Sequence, residues 1–316
     1  MRTKPTLLAA VCGAGVLLAP TLQAEEGGTG HYLPGAIASF VDAAPPTPTF
    51  VARLNGIYYD GSFGGALPVA GLAPVNVDAQ SYAAGLTLLW RPKLELAPGL
   101  SYALSTTVPY VWLEVKGDVT AGATTVRRSS SENGLGDMVL MPLMLNYALS
   151  RDVHLDLRTG VYAPTGDYKL DRLANTGKNF WTFEPTLGFL YFGQKNGIEA
   201  SVFVGADFNT ENEDTSYQSG TQFHLDGALA QHFKLAGGLA GAGVTGFWYE
   251  QLTGDSGAGA AFGDFKAQTA GVGPVLSYTR KIGGMDLIGE IKWLHEVETR
   301  NRLEGDYLWL KLIFKF

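Results

Sequence analysis

Sulfur chemistry is nearly absent from this chain: Cys12 is the single cysteine among 316 residues. It lies in a leader-like opening, so no disulfide can hold the rest together even in an oxidising compartment. Charge is also scarce, at 17% of residues, and acidic side chains outnumber basic ones for a net charge of −7. That balance argues against nucleic acid as a partner, which would be gripped through a positive surface. Beyond the opening, no stretch approaches the roughly 20 consecutive apolar residues of a spanning helix. If the chain lives in a membrane it must be a closed barrel, because lipid tolerates no open sheet edge.

What is present fits that alternative. Arg2 and Lys4 precede an apolar run from Leu7 to Leu18, and Leu22-Gln-Ala24 offers a cleavage site, the pattern of a secretory signal peptide over residues 1–24. The run is too short for a transmembrane anchor. Val11 before Cys12 is the wrong residue for a lipidation signal. With 41 glycines and 11% aromatics, the remainder suits many short strands better than helices.

From Phe50 onward the chain breaks into about twelve alternating segments of the length expected for barrel strands. They fall near 50–59, 79–90, 99–114, 135–148, 152–163, 180–192, 197–208, 218–230, 234–249, 265–279, 285–297 and 306–316. The joints alternate in length. Short ones at Arg91–Pro98, Leu149–Asp152, Gly193–Gly197, Gln231–Phe233 and Arg280–Gly284 separate long ones such as Asp60–Asp78, Val115–Gly134 and Pro164–Asn179. Outer-membrane barrels have short periplasmic turns and longer outside loops, and an even strand count puts both termini in the periplasm. The expected fold is therefore all-β: a transmembrane antiparallel up-and-down barrel over 50–316, preceded by an irregular segment at 25–49.

Period-2 patterning assigns the faces. In the last strand Leu308, Leu310, Leu312, Phe314 and Phe316 share one side, and Tyr307, Trp309, Lys311, Ile313 and Lys315 the other. A Lys or Arg facing mid-membrane lipid costs roughly 2–4 kcal/mol, so the ionisable side must face inward. The same logic turns Arg53, His154, Asp156, Arg158, Glu184, Glu199, Asp207, His224, Asp226, Glu290, Lys292 and Lys311 toward the lumen. Segment 135–148 is apolar on both faces and 234–249 is rich in Gly and Ala, so neither is assigned. Tyr82, Trp90, Trp112, Tyr147, Tyr249 and Trp293 suit the aromatic girdles of a membrane barrel.

Several motifs carry a family resemblance. Gly28-Thr-Gly30-His31-Tyr32-Leu33-Pro34-Gly35 is followed by Phe40-Val-Asp42 and Pro45-Pro46-Thr47-Pro48-Thr49-Phe50. Later come Glu132-Asn-Gly-Leu135-Gly136-Asp137 and Tyr162-Ala-Pro164-Thr165-Gly166-Asp167-Tyr168. Together they resemble the outer-membrane family named for the meta-pathway of phenol degradation, over most of the chain after the leader. The resemblance implies a barrel that accompanies the breakdown of aromatic or other hydrophobic compounds and moves them across the outer membrane. It brings no binding residues with it. Phe316, closing an alternating aromatic strand, resembles the signal by which the barrel-assembly machinery recognises its clients.

The segment Gly28–Thr49 lacks strand alternation. It serves either as a plug or gate contributing His31, Tyr32 and Phe40, or as a periplasmic tail that helps assembly. Its Ala36–Val41 stretch suits one or two helical turns. The inward charges are of both signs, and they either line a selective pore or pair with one another and fill the lumen. Asp137 and Asp167 suit loop geometry. Imidazole–carboxylate pairs at His224/Asp226 and His154/Asp156 come without an identifiable nucleophile, so no enzyme is expected. The run Glu211-Asn212-Glu213-Asp214 is acidic enough to attract a divalent cation in an outside loop, but a solvated loop that binds lipopolysaccharide counter-ions is the simpler and preferred reading. No metal or cofactor is expected. The sequence thus favours a passive outer-membrane channel for small hydrophobic or aromatic molecules, set in lipid and lipopolysaccharide. The alternatives are a surface-interaction barrel with a blocked lumen, and a lipid or ester hydrolase.

Overall fold

The computed structural model describes residues 25–260 and 266–316, so the signal peptide expected at 1–24 lies outside the described residues. Fourteen strands follow the N-terminal segment: β1 (Thr49–Ala66), β2 (Val75–Arg91), β3 (Glu95–Ala97), β4 (Leu100–Ala121), β5 (Thr124–Leu135), β6 (Met138–Ala148), β7 (Val153–Ala163), β8 (Thr182–Phe192), β9 (Ile198–Asn209), β10 (Gln222–Leu235), β11 (Gly238–Gln251), β12 (Gln268–Ile282), β13 (Met285–Arg300) and β14 (Glu304–Lys315). All but β3 and β5 form one antiparallel ring of twelve. It closes where β1 pairs with β14, from Val51 opposite Lys315 to Ser62 opposite Glu304. Closure leaves no backbone edge to be satisfied by lipid, which is what makes such a wall possible in a membrane. The small β3 sits in the β2–β4 turn, and β5 pairs with the tip of β4.

The expected alternation holds on the strands where it was assigned. Leu155, Leu157, Val202, Ile291, Trp293, Leu308 and Leu310 are exposed on the outer wall, while Asp156, Arg158, Glu199, Glu290, Lys292 and Lys311 are buried inside. Two strands that resisted assignment have physical reasons. In β6 an extra residue between Leu140 and Leu143 breaks the register to both neighbours. Such a bulge reverses the parity of everything beyond it. In β11 the inner face is Thr245, Phe247 and Tyr249, with Val244 and Trp248 exposed.

Three expectations need correction. The turn placed at Gln231–Phe233 lies at Ala236-Gly237, so His232 is a strand residue. Both turn residues have positive φ, 47° and 77°, as a two-residue hairpin matching strand twist demands. The stretch Val115–Gly134 is the β4–β5 hairpin rather than an irregular loop. Tyr249 is not a girdle residue: it is fully buried in the lumen, with Arg302 stacked 4.6 Å from its ring centre. The described residues ahead of β1 also run from one rim of the barrel to the other. Thr49 and Phe316 meet at the short-turn end, but the Glu25 amide donates to Asp255 Oδ2 at 3.2 Å among the long loops.

Candidate functional site

Between Glu25 and Pro48 the chain passes through the barrel from the long-loop end to the short-turn end. Pro34, Pro45, Pro46 and Pro48 deny it the donors of a strand. Only two three-residue 3-10 turns interrupt it, Glu26–Gly28 and Phe40–Asp42, the second shorter than the helical stretch expected at Ala36–Val41. At Gly35 the backbone has φ 76°, and a Cβ would come within 2.5 Å of Leu294. Only glycine fits that turn against the wall.

A buried segment without strand partners must find hydrogen bonds elsewhere. The inward side chains supply them. Lys292 Nζ donates to Gly35 O at 2.6 Å, Lys311 Nζ to Ala36 O at 2.9 Å, and Arg158 to Asp42 O at 3.2 Å. Trp309 Nε1 donates to Pro34 O at 2.9 Å. In the other sense, Asp226 accepts the Gly35 amide and Glu199 the Phe40 amide, each at 2.8 Å.

The segment's side chains complete the grip. His31 Nε2 lies 2.9 Å from Asp137 Oδ2 and Nδ1 lies 2.7 Å from the Thr182 hydroxyl. Burial pushes this imidazole below its ordinary range, against the pull of Asp137. The Tyr32 hydroxyl donates to Asp226 at 2.9 Å, with its ring stacked 4.3 Å from His224. Phe40 packs on Phe192 and edge-on to His232. Asp42 is the hub: it accepts from Arg53 at 2.9 Å and Lys311 at 2.5 Å, and Lys292 lies 3.9 Å away. Burial would raise its carboxyl, but Lys311, Lys292 and Arg53 hold it well below the usual carboxylate range. At the long-loop end, burial pushes Glu25 up to about 7, with Asp255 adding to the rise and Arg302 and Lys178 opposing it.

The segment leans on β7–β10 and β13–β14, which leaves space on the opposite side. Two cavities of about 360 Å³ each lie there. One opens toward the long loops and is walled by Ile57, Val77, Val111, Leu113, Val115 and Leu173. The other faces the short-turn end, walled by Phe40, Leu89, Met141, Met144, Phe192 and Ile313. Ile37, Arg53, Thr87 and Met141 line both and so mark their junction. Of the twelve inward ionisable residues expected from the sequence, Arg53, His154 and Arg158 line these cavities. Most of the remainder pair with one another, with the segment or with a wall neighbour, as in Lys292–Glu290 at 3.1 Å and Glu199–His232 at 2.7 Å, whereas Asp207 comes no nearer than 3.8 Å to His224.

A family model described as "Putative MetA-pathway of phenol degradation" matches residues 60–312. The chain belongs to this family. No curated protein matches the chain. Among solved structures, the COG4313 outer membrane channel from Pseudomonas putida F1 is similar with a TM-score of 0.64 at 16% identity, over 90% of this chain and 100% of that one. The β domain of the Bordetella autotransporter BrkA aligns at a TM-score of 0.49 and 12% identity, over 85% of this chain and 99% of that one. A Pseudomonas aeruginosa FadL homologue aligns at 0.39 and 8%, over 84% and 89%. The first of these likenesses shows that this family member has the fold of an outer-membrane channel.

Some residues of this family member escaped sequence reasoning as site residues. Asp42 and Asp137 stand inside the motifs that carry the family resemblance, so a signal existed. Asp137 accepts the Gly166 and Lys178 amides at 2.9 and 2.7 Å, fixing loop geometry as expected, and also takes His31. Lys178, which donates to Thr29 O, gave no signal. The acidic run Glu211–Asp214 does not converge on a point: Glu211, Glu213 and Asp214 are exposed, and Asn212 is buried and donates to Glu26 at 2.7 Å.

Proposed function

We propose that the protein is a passive outer-membrane channel for small hydrophobic or aromatic molecules, with the N-terminal segment as a plug that sets what passes. The pair of apolar cavities meeting at Ile37, Arg53, Thr87 and Met141 carries this reading. Together they offer a route along one wall while the charged wall is occupied in holding the plug. Apolar lining suits solutes that gain by leaving water, and the wall charges that line the two cavities, Arg53, His154 and Arg158, are too few to make a pathway for ions. A gradient drives diffusion, so no cofactor is needed. The short turns face the periplasm, the exported chain loses residues 1–24, and Phe316 marks the last strand for the assembly machinery. Lipid and lipopolysaccharide contact the outer wall.

Deleting Gly28–Ala44 tests the plug. Liposomes carrying the deleted barrel should swell faster in benzoate or phenol than those carrying the full chain. Unchanged swelling would remove the gating role, and no swelling with either form would favour the blocked, surface-interaction barrel.

A further inference from the structure

Glu184, Asp207 and His224 stand on the adjacent strands β8, β9 and β10, all facing inward and all buried, and their ligand atoms lie within 4.8 Å of one another. The spacing is not that of a hydrogen-bonded cluster. His224 Nε2 is 3.5 Å from Glu184 Oε1 and 3.8 Å from Asp207 Oδ1. Direct hydrogen bonds would bring such atoms to about 2.7–3.0 Å. Two ligand atoms each about 2.1 Å from one zinc ion, at a tetrahedral angle, sit roughly 3.4 Å apart.

The hydrogen-bond inventory independently points the same way. Both Asp207 carboxylate oxygens and both His224 ring nitrogens are buried without a hydrogen-bond partner. Asp207 is 0% exposed and His224 3%. Leaving a buried charge uncompensated is expensive. Among the described residues, neither Glu184 nor Asp207 has an ion-pair partner other than His224. The surroundings also orient the ligands. His224 Nδ1 faces Asp226 Oδ2 at 3.5 Å, the carboxylate–imidazole–metal order by which a ligand histidine is aimed. Glu184 accepts from the Tyr162 hydroxyl and, at 3.2 Å, from Thr186. A Cβ at Gly205 would come within 2.3 Å of His224 Nε2, so glycine there keeps the space beside that nitrogen clear.

We propose that Glu184, Asp207 and His224 form a site for one divalent transition-metal ion of the zinc type. One nitrogen and two carboxylates suit zinc among such ions, with a fourth position left to water. The ion would balance the carboxylates, and through His224 it would fix Asp226, which holds Tyr32 and Gly35 of the threaded segment.

The full mature chain is refolded into detergent from urea, once with zinc chloride and once with chelator, then dialysed and measured for bound metal. One zinc per chain is expected, with cobalt(II) giving visible bands of a four- or five-coordinate nitrogen–oxygen site that zinc abolishes. Asp207→Asn and His224→Gln should lose that metal while keeping the heat-modifiable gel mobility of a closed barrel. Asp226→Asn should weaken affinity by about 10–100-fold. A folded wild-type barrel that takes up neither zinc nor cobalt overturns the proposal, as does full stoichiometry in folded Asp207→Asn. The wild-type measurement decides even where a variant fails to fold.

Discussion

His31 Nε2 and Asp137 Oδ2 stand 2.9 Å apart, joining the threaded segment to the loop between β5 and β6 with both side chains nearly sealed from solvent. Burial depresses the His31 pKa in the docked state. In a released segment it returns to about 6.5. Protons therefore favour release as pH falls below about 6.5, and at higher pH the ring is neutral in both states. Single-channel openings should be more frequent at pH 5.5 than at pH 7.5, and His31→Gln should flatten that difference. Equal pH dependence in wild type and variant would show that His31 does not control docking.

Glu25 works in the opposite sense. Its docked carboxyl is raised to about 7 from an ordinary 4.5. The stability this gives docking is full below about 4.5 and is lost as pH rises to about 7. Glu25→Gln compared with wild type should isolate this carboxyl's effect, because His31 contributes alike to both. The variant's openings should fall more steeply than the wild type's between pH 5.5 and pH 7.5. A wild-type trend that survives Glu25→Gln intact would exclude this carboxyl as its source.

Asp42 pairs with Lys311, Lys292 and Arg53 at one point, with Glu290 as the lysines' second carboxylate. Asp42→Asn leaves two buried ammonium groups short of a carboxylate, a class of change that costs about 3–5 kcal/mol. The segment should detach before the barrel wall fails. Conductance should rise sharply while heat-modifiable mobility persists, and a quiet, fully plugged variant would argue that the backbone contacts suffice.

Arg53 lines both cavities and reaches across to Asp42. Arg53→Ala should widen their junction and raise liposome swelling several-fold for aromatic solutes. Ile37→Trp, from the segment side of the same junction, should slow it. Swelling rates that ignore both changes would place the solute path elsewhere.

Leu187, at the middle of β8, is 62% exposed on the outer wall. Leu187→Arg should destabilise the barrel in bilayers by about 2–4 kcal/mol, read from urea unfolding in liposomes. Thr186, its inward neighbour, is buried. A cost near zero for Leu187→Arg would contradict a lipid-facing surface there.

The barrel was legible because membrane and lumen enforce a strict two-residue alternation, plain in Leu308 to Lys315 and in Val153 to Tyr162. Where the backbone breaks that alternation, legibility ends, as at the β6 bulge around Pro142. The Ala236-Gly237 turn was misplaced because Gln231 and His232 look like a polar joint, yet His232 is buried against Glu199. Parity alone turns the charged side chains inward, but it carries no sign of what many of them hold. They hold a segment without periodicity, whose exposed carbonyls and amides leave no trace in side-chain pattern.

The first barrel strand begins at one rim, yet the residues ahead of it already reach the other. Glu25 touches the long loops while Thr49 sits beside Phe316 at the seam where the last strand meets the first. A finished cylinder would have to be threaded along its whole height to reach this arrangement. Zipping the seam around a segment already laid inside would avoid that passage, so the topology favours placing the core before closing the hoop.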